Sequence, residues 1–315
     1  MKYVISEIIT HNAAVKEIRL RDPEAKALPA WPPGAHLQLC LTGRDGQTHE
    51  RHYSLVGPPA ASSDYRIAVL RLDNSTGGSR CLHEELEAGM LVDVAGPYDS
   101  FPLAPVASTT RVMLIAGGIG ITPLVSMAHA LGARGVPFTL HYLAHSVQRL
   151  ILLDELQAIP HMQLVMHLSQ QAGRADLEVL LGYYDGAVEL YACGPVPLLQ
   201  ALRQSGNRLG WPDNAMHFES FGARPAASDA PLCVELAMSQ LQITVQPGTS
   251  ILDALIAADV FVSYECKRGE CANCYTHVVS GDPVHRDVCL TPAQRAVGMC
   301  TCVSWVASGR LVLDL

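Results

Sequence analysis

Three cysteines stand within nine residues, Cys266 to Cys274, in the run YECKRGECANCYTH that begins at Tyr264. The spacing C-x4-C-x2-C suits thiolate ligation of a 2Fe-2S cluster, which needs a fourth thiolate from farther along the chain. Zinc competes, with Cys271 and Cys274 joined to Cys300 and Cys302 as two short-spaced pairs, but that leaves Cys266 without a role. Three packed core thiols fit less well, because Lys267, Arg268, Glu270 and Asn273 between them are not core residues. Gly269 permits a tight turn, and a loop without proline keeps its N–H groups free to point at sulfur, where they help set a reduction potential. The fourth ligand is open among Cys289, Cys300 and Cys302. Cys289 lies between Val288 and Leu290 and reads as a core thiol; Cys300 and Cys302 share one face if their segment is extended.

Two glycine-bearing turns suggest a second chemistry. AGGIGITPL follows the apolar run VMLIA and enters a helical pattern with Pro123 near its first turn. A glycine loop at the carboxyl end of a parallel strand lets backbone approach a dinucleotide, which makes Gly117, Gly118, Gly120 and Thr122 candidates. YACGP ends another apolar run and adds Cys193, Gly194 and Pro195. Cys193 has no apparent partner base and is not read as a covalent nucleophile.

A third chemistry is carried nearer the N-terminus. The run RHYS, Arg51 to Ser54, offers a cation, an aromatic ring and a hydroxyl, but taken alone it reads better as a plain alternating strand. In TGGSR, Gly77, Gly78 and Ser79 lead into a helix whose free N–H groups favour an anion, with Arg80 adding charge. A plain turn is the competing account.

These residues need three kinds of support. From Tyr3 to about Gly96 short strands separated by Pro, Gly and Asp-Gly signals predict a small antiparallel barrel, interrupted by one helix over CLHEELEAG that Ser79 can cap. From Arg111 to about Phe221 apolar strands alternate with helical patterns, which predicts a parallel sheet with crossover helices. The stretch FGARPAASDAP, Phe221 to Pro231, reads as a linker. After it come two strands, a helix SILDALIAA opened by Ser250, the cysteine loop and a closing strand RLVLDL.

The whole chain of 315 residues exceeds one ordinary domain. Its formal charge of -8 argues against nucleic acid or anionic membrane as a partner. Without a leader pattern or a spanning apolar run, a cytoplasmic protein is expected, and its ten cysteines are better read as core residues or metal ligands than as disulfides.

CKRGECANC, then HRDVCL, then CTCVSWVASGRLVLDL together resemble the C-terminal ferredoxin domain of the phthalate dioxygenase reductase and vanillate O-demethylase reductase family. The resemblance covers the chain in the order flavin, nicotinamide, ferredoxin. It implies an antiparallel β-barrel flavin domain over residues 1–105, an α/β parallel-sheet nicotinamide domain over 106–225 and an α+β β-grasp ferredoxin domain over 226–315. In the family the fourth ligand lies 28 positions past the third, which here is Cys302. Arg51, Tyr53 and Ser54 match its R-x-Y-S flavin motif, with His52 at the variable position; Gly117, Gly118, Gly120 and Thr122 match its GGxGxTP. Cys193, Gly194 and Pro195 match its C-G-P at the nicotinamide side, and Ser220 and Phe221 of HFESF would end that domain against the flavin. Asp99 departs from the family's GPxNxFPL, where asparagine is usual.

The resemblance further implies FMN, NADH and the 2Fe-2S cluster as cofactors. The expected activity is NADH-dependent electron transfer to a separate terminal oxygenase of the Rieske type. A cytochrome P450 acceptor is one alternative, and a nucleotide-binding module with structural zinc another. Lys267, Arg268 and Glu270, between the cysteines, are candidates for docking the acceptor.

Overall fold

The computed structural model describes residues 1–44, 46, 48–71, 78–105, 110–221, 229–307 and 309–315. The chain resolves into two compact units, Met1–Gly194 with Ala201–His217, and Pro195–Gln200 with Phe218–Leu315.

The first unit begins with β1 (Lys2–Asn12), β2 (Val15–Arg21), β3 (His36–Thr42), β4 (Thr48–Ser54), β5 (Asp64–Leu70), α1 (Gly78–Glu84) and β6 (Leu91–Tyr98). The strands form an antiparallel sheet in the order β4-β3-β6-β1-β2-β5. A bridge between Leu55 and Ile67 brings the two outer strands together, so the sheet curls into a barrel. Period-two burial drives this: Leu37, Leu39 and Leu41 of β3 face a core shared with Ile5, Ile18 and Ile67. Helix α1 already includes Ser79, which is buried inside the first turn rather than capping it, and it stops at Glu84, short of Gly89.

An α/β sheet follows: β7 (Arg111–Gly117), α2 (Ile121–Ala133), β8 (Phe138–Ala144), α3 (Leu153–Gln157), β9 (Met162–Leu168), α4 (Ser169–Ala172), α5 (Leu177–Leu181), β10 (Val188–Cys193), α6 (Val196–Arg208) and β11 (Met216–Glu219). The order β11-β10-β7-β8-β9 reverses direction at β7, creating a switch point between β7 and β10 at which such sheets bind ligands. Helix α2 is nearly all buried against Leu114, Leu140 and Tyr142, and Phe101, Leu103 and Val56 of the barrel region join the same core.

The remaining elements are β12 (Leu232–Leu236), β13 (Gln242–Val245), α7 (Ile251–Ala257), β14 (Tyr275–Ser280), β15 (Pro283–Val284), α8 (Pro292–Arg295), β16 (Gly298–Cys300), β17 (Trp305–Val306) and β18 (Arg310–Leu313). They form a mixed sheet β13-β12-β18-β14-β16, with β12 and β18 parallel, and a small β15-β17 ribbon. Ser250 caps α7, its hydroxyl accepting from the Asp253 N–H at 2.9 Å. This is the β-grasp arrangement expected of the C-terminal part. Both expected boundaries and most of the expected linker fall in 106–109 and 222–228, outside the described residues.

Candidate functional site

The cysteine loop connects α7 to β14, and its backbone is bent where the sequence allows it. Gly269 has φ +73°, and a Cβ there would stand 2.6 Å from Val303 Cγ2 and 3.0 Å from the Asp287 Cα, so only glycine fits. The turn aims N–H groups at sulfur: Arg268 N donates to Cys266 Sγ at 3.3 Å, with the Glu270 and Cys271 N–H groups on the same sulfur. The Gly269 N–H reaches Cys302.

Four of the thiols stand as two pairs. Cys266 contacts Cys271, and Cys274 Sγ lies 3.1 Å from Cys302 Sγ. Burial pushes the Cys266 thiol up to about 11. Side-chain hydrogen bonds with Cys300 and Cys302 hold the Cys274 thiol down to about 3, and the same hydrogen bonds, with burial, push the Cys300 and Cys302 thiols up. Among the described residues no group of three or more His, Cys, Asp or Glu side chains is gathered as for a single ion.

Cys300 and Cys302 do not share a face. Strand β16 ends at Cys300 and residues 301–303 form a turn, so periodicity two does not apply across them. Cys302 faces the loop, near Gly269 and Cys266. Cys300 faces inward, against Cys274 and Cys289. Four thiols in two pairs with N–H donors around them fit a two-iron cluster, at two thiolates per iron.

Two charged loop residues depart from the expected docking role. Arg268 and Glu270 have side chains only 16% and 10% exposed and pair with each other at 3.2 Å. Glu270 Oε1 also accepts from the Ser220 N–H at 2.6 Å, and Arg268 Nη1 lies 3.7 Å from the buried Glu219. They tie the loop to the Phe218–Phe221 segment; Lys267 alone is exposed, over the Tyr264 ring and bonded to Asp253 at 2.9 Å. Ser220 is buried while Phe221 is exposed.

In the barrel, Arg51 and α1 meet directly. The Arg51 side chain lies over Gly78 so closely that a Cβ there would be 2.5 Å from its Nε. Ser54 and Ser79 are buried, Tyr53 half-buried and His52 exposed. Arg80 leans along the helix to Glu84 at 3.9 Å, and Gly77 lies outside the described residues. Sequence reasoning passed over His36, whose ring is 5.0 Å from His52 and 5.8 Å from Tyr98, with Ser100 Oγ at 3.3 Å from its Nδ1. Only the alternation along β3 could have flagged it. Burial raises the nearby Asp99 carboxyl.

At the β7–β10 switch point the two glycine turns touch. Gly118 adopts φ +57°, and Gly120 approaches the Cys193 carbonyl and, with a Cβ, would stand 2.8 Å from the Gly194 nitrogen. Cys193 is fully buried, so its backbone rather than its sulfur borders the crevice. Thr122 is buried and its hydroxyl donates to the Ile119 carbonyl at 3.1 Å, closing the loop on itself. Pro195 immediately precedes α6, its carbonyl accepting from the Leu198 N–H at 2.9 Å. A neighbouring cleft of about 100 Å³ is lined by Asn12, Val15, Gly118, Ile119, His145 and Arg149.

Comparison with known proteins agrees with this layout. Residues 234–307 match the 2Fe-2S iron-sulfur cluster binding domain. The chain is 38% identical over 292 residues to the heme-dependent oxidative N-demethylase beta subunit of Ectopseudomonas mendocina (strain ymp), covering 92% of this chain and 91% of that protein. It is 36% identical over 295 residues to the vanillate O-demethylase oxidoreductase of Pseudomonas sp. (strain HR199), covering 91% of each. Its fold superposes on the solved phthalate dioxygenase reductase, described as a modular structure for electron transfer from pyridine nucleotides to 2Fe-2S. The TM-score is 0.72 at 31% identity, over 100% of this chain and 98% of that one.

Proposed function

From its membership of the oxygenase reductase family that includes vanillate O-demethylase oxidoreductase and phthalate dioxygenase reductase, to which the chain belongs, we propose that it passes electrons from NADH through FMN and a 2Fe-2S cluster to a separate terminal oxygenase of the Rieske type. Bound flavin supplies the change between a two-electron hydride donor and a one-electron acceptor. The paired thiols of Cys266 with Cys271 and Cys274 with Cys302 carry the reading, because a chain that ends its electron path in such a site delivers single electrons to a partner.

Each part of the chain then has a task. Arg51 and the backbone at Gly78 and Ser79 hold the flavin phosphate, while Tyr53 and Ser54 flank its ring. Gly117 to Gly120 and Cys193 to Pro195 offer backbone to the dinucleotide, since a side chain at Gly120 would close the approach. Cys266, Cys271, Cys274 and Cys302 hold the irons, and the N–H groups of residues 268 to 271 stabilise the added negative charge on sulfur. Divisions at 105/106 and 225/226 complete the proposal, as does a cytoplasmic location; no helix among the described residues is long and apolar enough to cross a membrane.

The test is spectroscopic. The purified protein should show flavin and 2Fe-2S absorbance, and anaerobic NADH should bleach the flavin and raise the electron paramagnetic resonance signal of a reduced cluster. Zinc in place of iron, with no flavin band, would sink the reading. Residues 1 to 227 should fold as a flavoprotein that oxidises NADH with ferricyanide.

A second reading changes only the acceptor. The likeness to a subunit of a heme-dependent oxidative N-demethylase makes a haem protein the alternative partner. Reconstitution with a Rieske oxygenase and with a haem demethylase separates the two by which one turns over.

A further inference from the structure

Cys289 and Cys300 have no place in the four-thiol site, yet their sulfurs lie 3.7 Å apart. That is about 1.7 Å beyond a disulfide bond length. Both stand on fixed supports. Cys300 ends β16, fully buried and in register with Tyr275 of β14. Around Cys289 the backbone is pinned: Val288 N donates to the Gly269 carbonyl at 2.9 Å, and Leu290 N to Asp287 Oδ2 at 3.1 Å. Asp287 is itself fully buried and gripped by Arg295 Nη2 at 2.9 Å.

The two differ in access. Cys289 is partly exposed and meets the Ala272 N–H of the cysteine loop; Cys300 is sealed behind it and also touches Cys274. This is the arrangement of an attacking thiol with a resolving thiol at its back.

We propose that Cys289 and Cys300 form a peroxide-responsive disulfide beside the cluster thiols. Hydrogen peroxide is the oxidant. The Cys289 sulfur attacks the O–O bond, gaining one oxygen as sulfenic acid, and the other oxygen leaves as water with the thiol proton. The Cys300 sulfur then attacks the Cys289 sulfur; the S–S bond forms, the S–O bond breaks, and the hydroxyl leaves as water with the Cys300 proton. Two thiols and one peroxide give one disulfide and two waters.

The consequence follows from the second contact of Cys300. Its one S–H is consumed, so it no longer donates toward Cys274. Fewer hydrogen bonds to a ligand sulfur make the cluster harder to reduce, which slows electron delivery when peroxide accumulates. This consequence rests on the function proposed above; the disulfide does not.

The full holoprotein is treated with stepwise hydrogen peroxide, denatured in chelator and alkylated without reductant. Reactive thiols should fall from the ten of the sequence to eight while the visible cluster spectrum persists. Tryptic peptides 287–295 and 296–310 should be joined through Cys289 and Cys300, and Cys289→Ser and Cys300→Ser should each abolish the link. A potentiometric titration should place the oxidised form's cluster midpoint below the untreated one. Cluster bleaching with all ten thiols still reactive, a link from Cys289 to another cysteine, or a two-thiol loss surviving in Cys300→Ser would overturn the proposal. An untreated protein without cluster absorbance would instead count against the proposed function, leaving the thiol result readable.

Discussion

Cys274 Sγ and Cys302 Sγ lie 3.1 Å apart although 28 residues separate them in the chain. Cys300 is as close in sequence and also touches Cys274, but it packs against Cys289 at 3.7 Å rather than facing the loop. Cys302→Ser is therefore expected to lose the 2Fe-2S absorbance and most cytochrome c reduction while NADH still reduces the flavin. Cys300→Ser should keep the cluster. Iron content and absorbance of the two variants decide between them, and the reverse result would make Cys300 the ligand.

Arg51 covers Gly78 at the start of α1, where an anion would find a guanidinium beside the positive end of the helix. Losing a charge-assisted hydrogen bond costs about 1.5–3 kcal/mol, so Arg51→Ala should weaken FMN binding by roughly ten- to a hundredfold. Flavin fluorescence released on dialysis measures this. Retention equal to the parent protein would remove Arg51 from the phosphate site.

Gly120→Ala places a methyl group against the Cys193 carbonyl and the Gly194 nitrogen, both backbone atoms that have little room to shift. Overpacking of this kind costs about 1–3 kcal/mol. Here the strain falls on the switch-point crevice, so we expect a raised KM for NADH with ferricyanide as acceptor. An unchanged KM with a lower Tm would show the contact to be structural alone.

Arg66 binds two carboxylates at once, Glu17 Oε1 at 2.7 Å and Glu155 Oε2 at 2.8 Å, joining the barrel to α3. Burial would raise both acids. Hydrogen bonds from His11 and Arg66 instead hold Glu17 down to about 2, and those from His129 and Arg66 hold Glu155 at about 2. Because the folded values lie below the ordinary 4.5, the pair stabilises the fold above that pH and ceases to as pH falls toward 2. Glu155→Gln should cost about 1.5–3 kcal/mol at neutral pH, the worth of a hydrogen bond to a charged group. Urea midpoints should show that difference shrinking between pH 5 and pH 2; a constant difference would assign it to packing.

Much of the fold was legible because it is written in local patterns. Alternation along β3 and the apolar runs VMLIA and FTLHYLA announce strands, and Ser250 before SILDALIAA announces a cap that the structure bears out. Short elements were less legible. Helix α8, with its Thr291–Gln294 capping box, is a single turn, too brief for any apolar period. Ser79 was misplaced as a cap because glycines and serine mark a helix start without fixing its first residue.

The sequence by itself determined the spacing of Cys266, Cys271 and Cys274 around Gly269, and the glycine turns after two apolar strands. Such features follow from the backbone freedom of neighbouring residues, which needs no distant partner. Only the tertiary structure decided that Cys302 faces the loop and Cys300 the interior, that Gly120 meets Cys193, and that Arg268 and Glu270 turn inward to the Glu219–Ser220 backbone. These depend on where β16 stops and how strands far apart in sequence stack, and a one-residue change in either reverses which side chain points where.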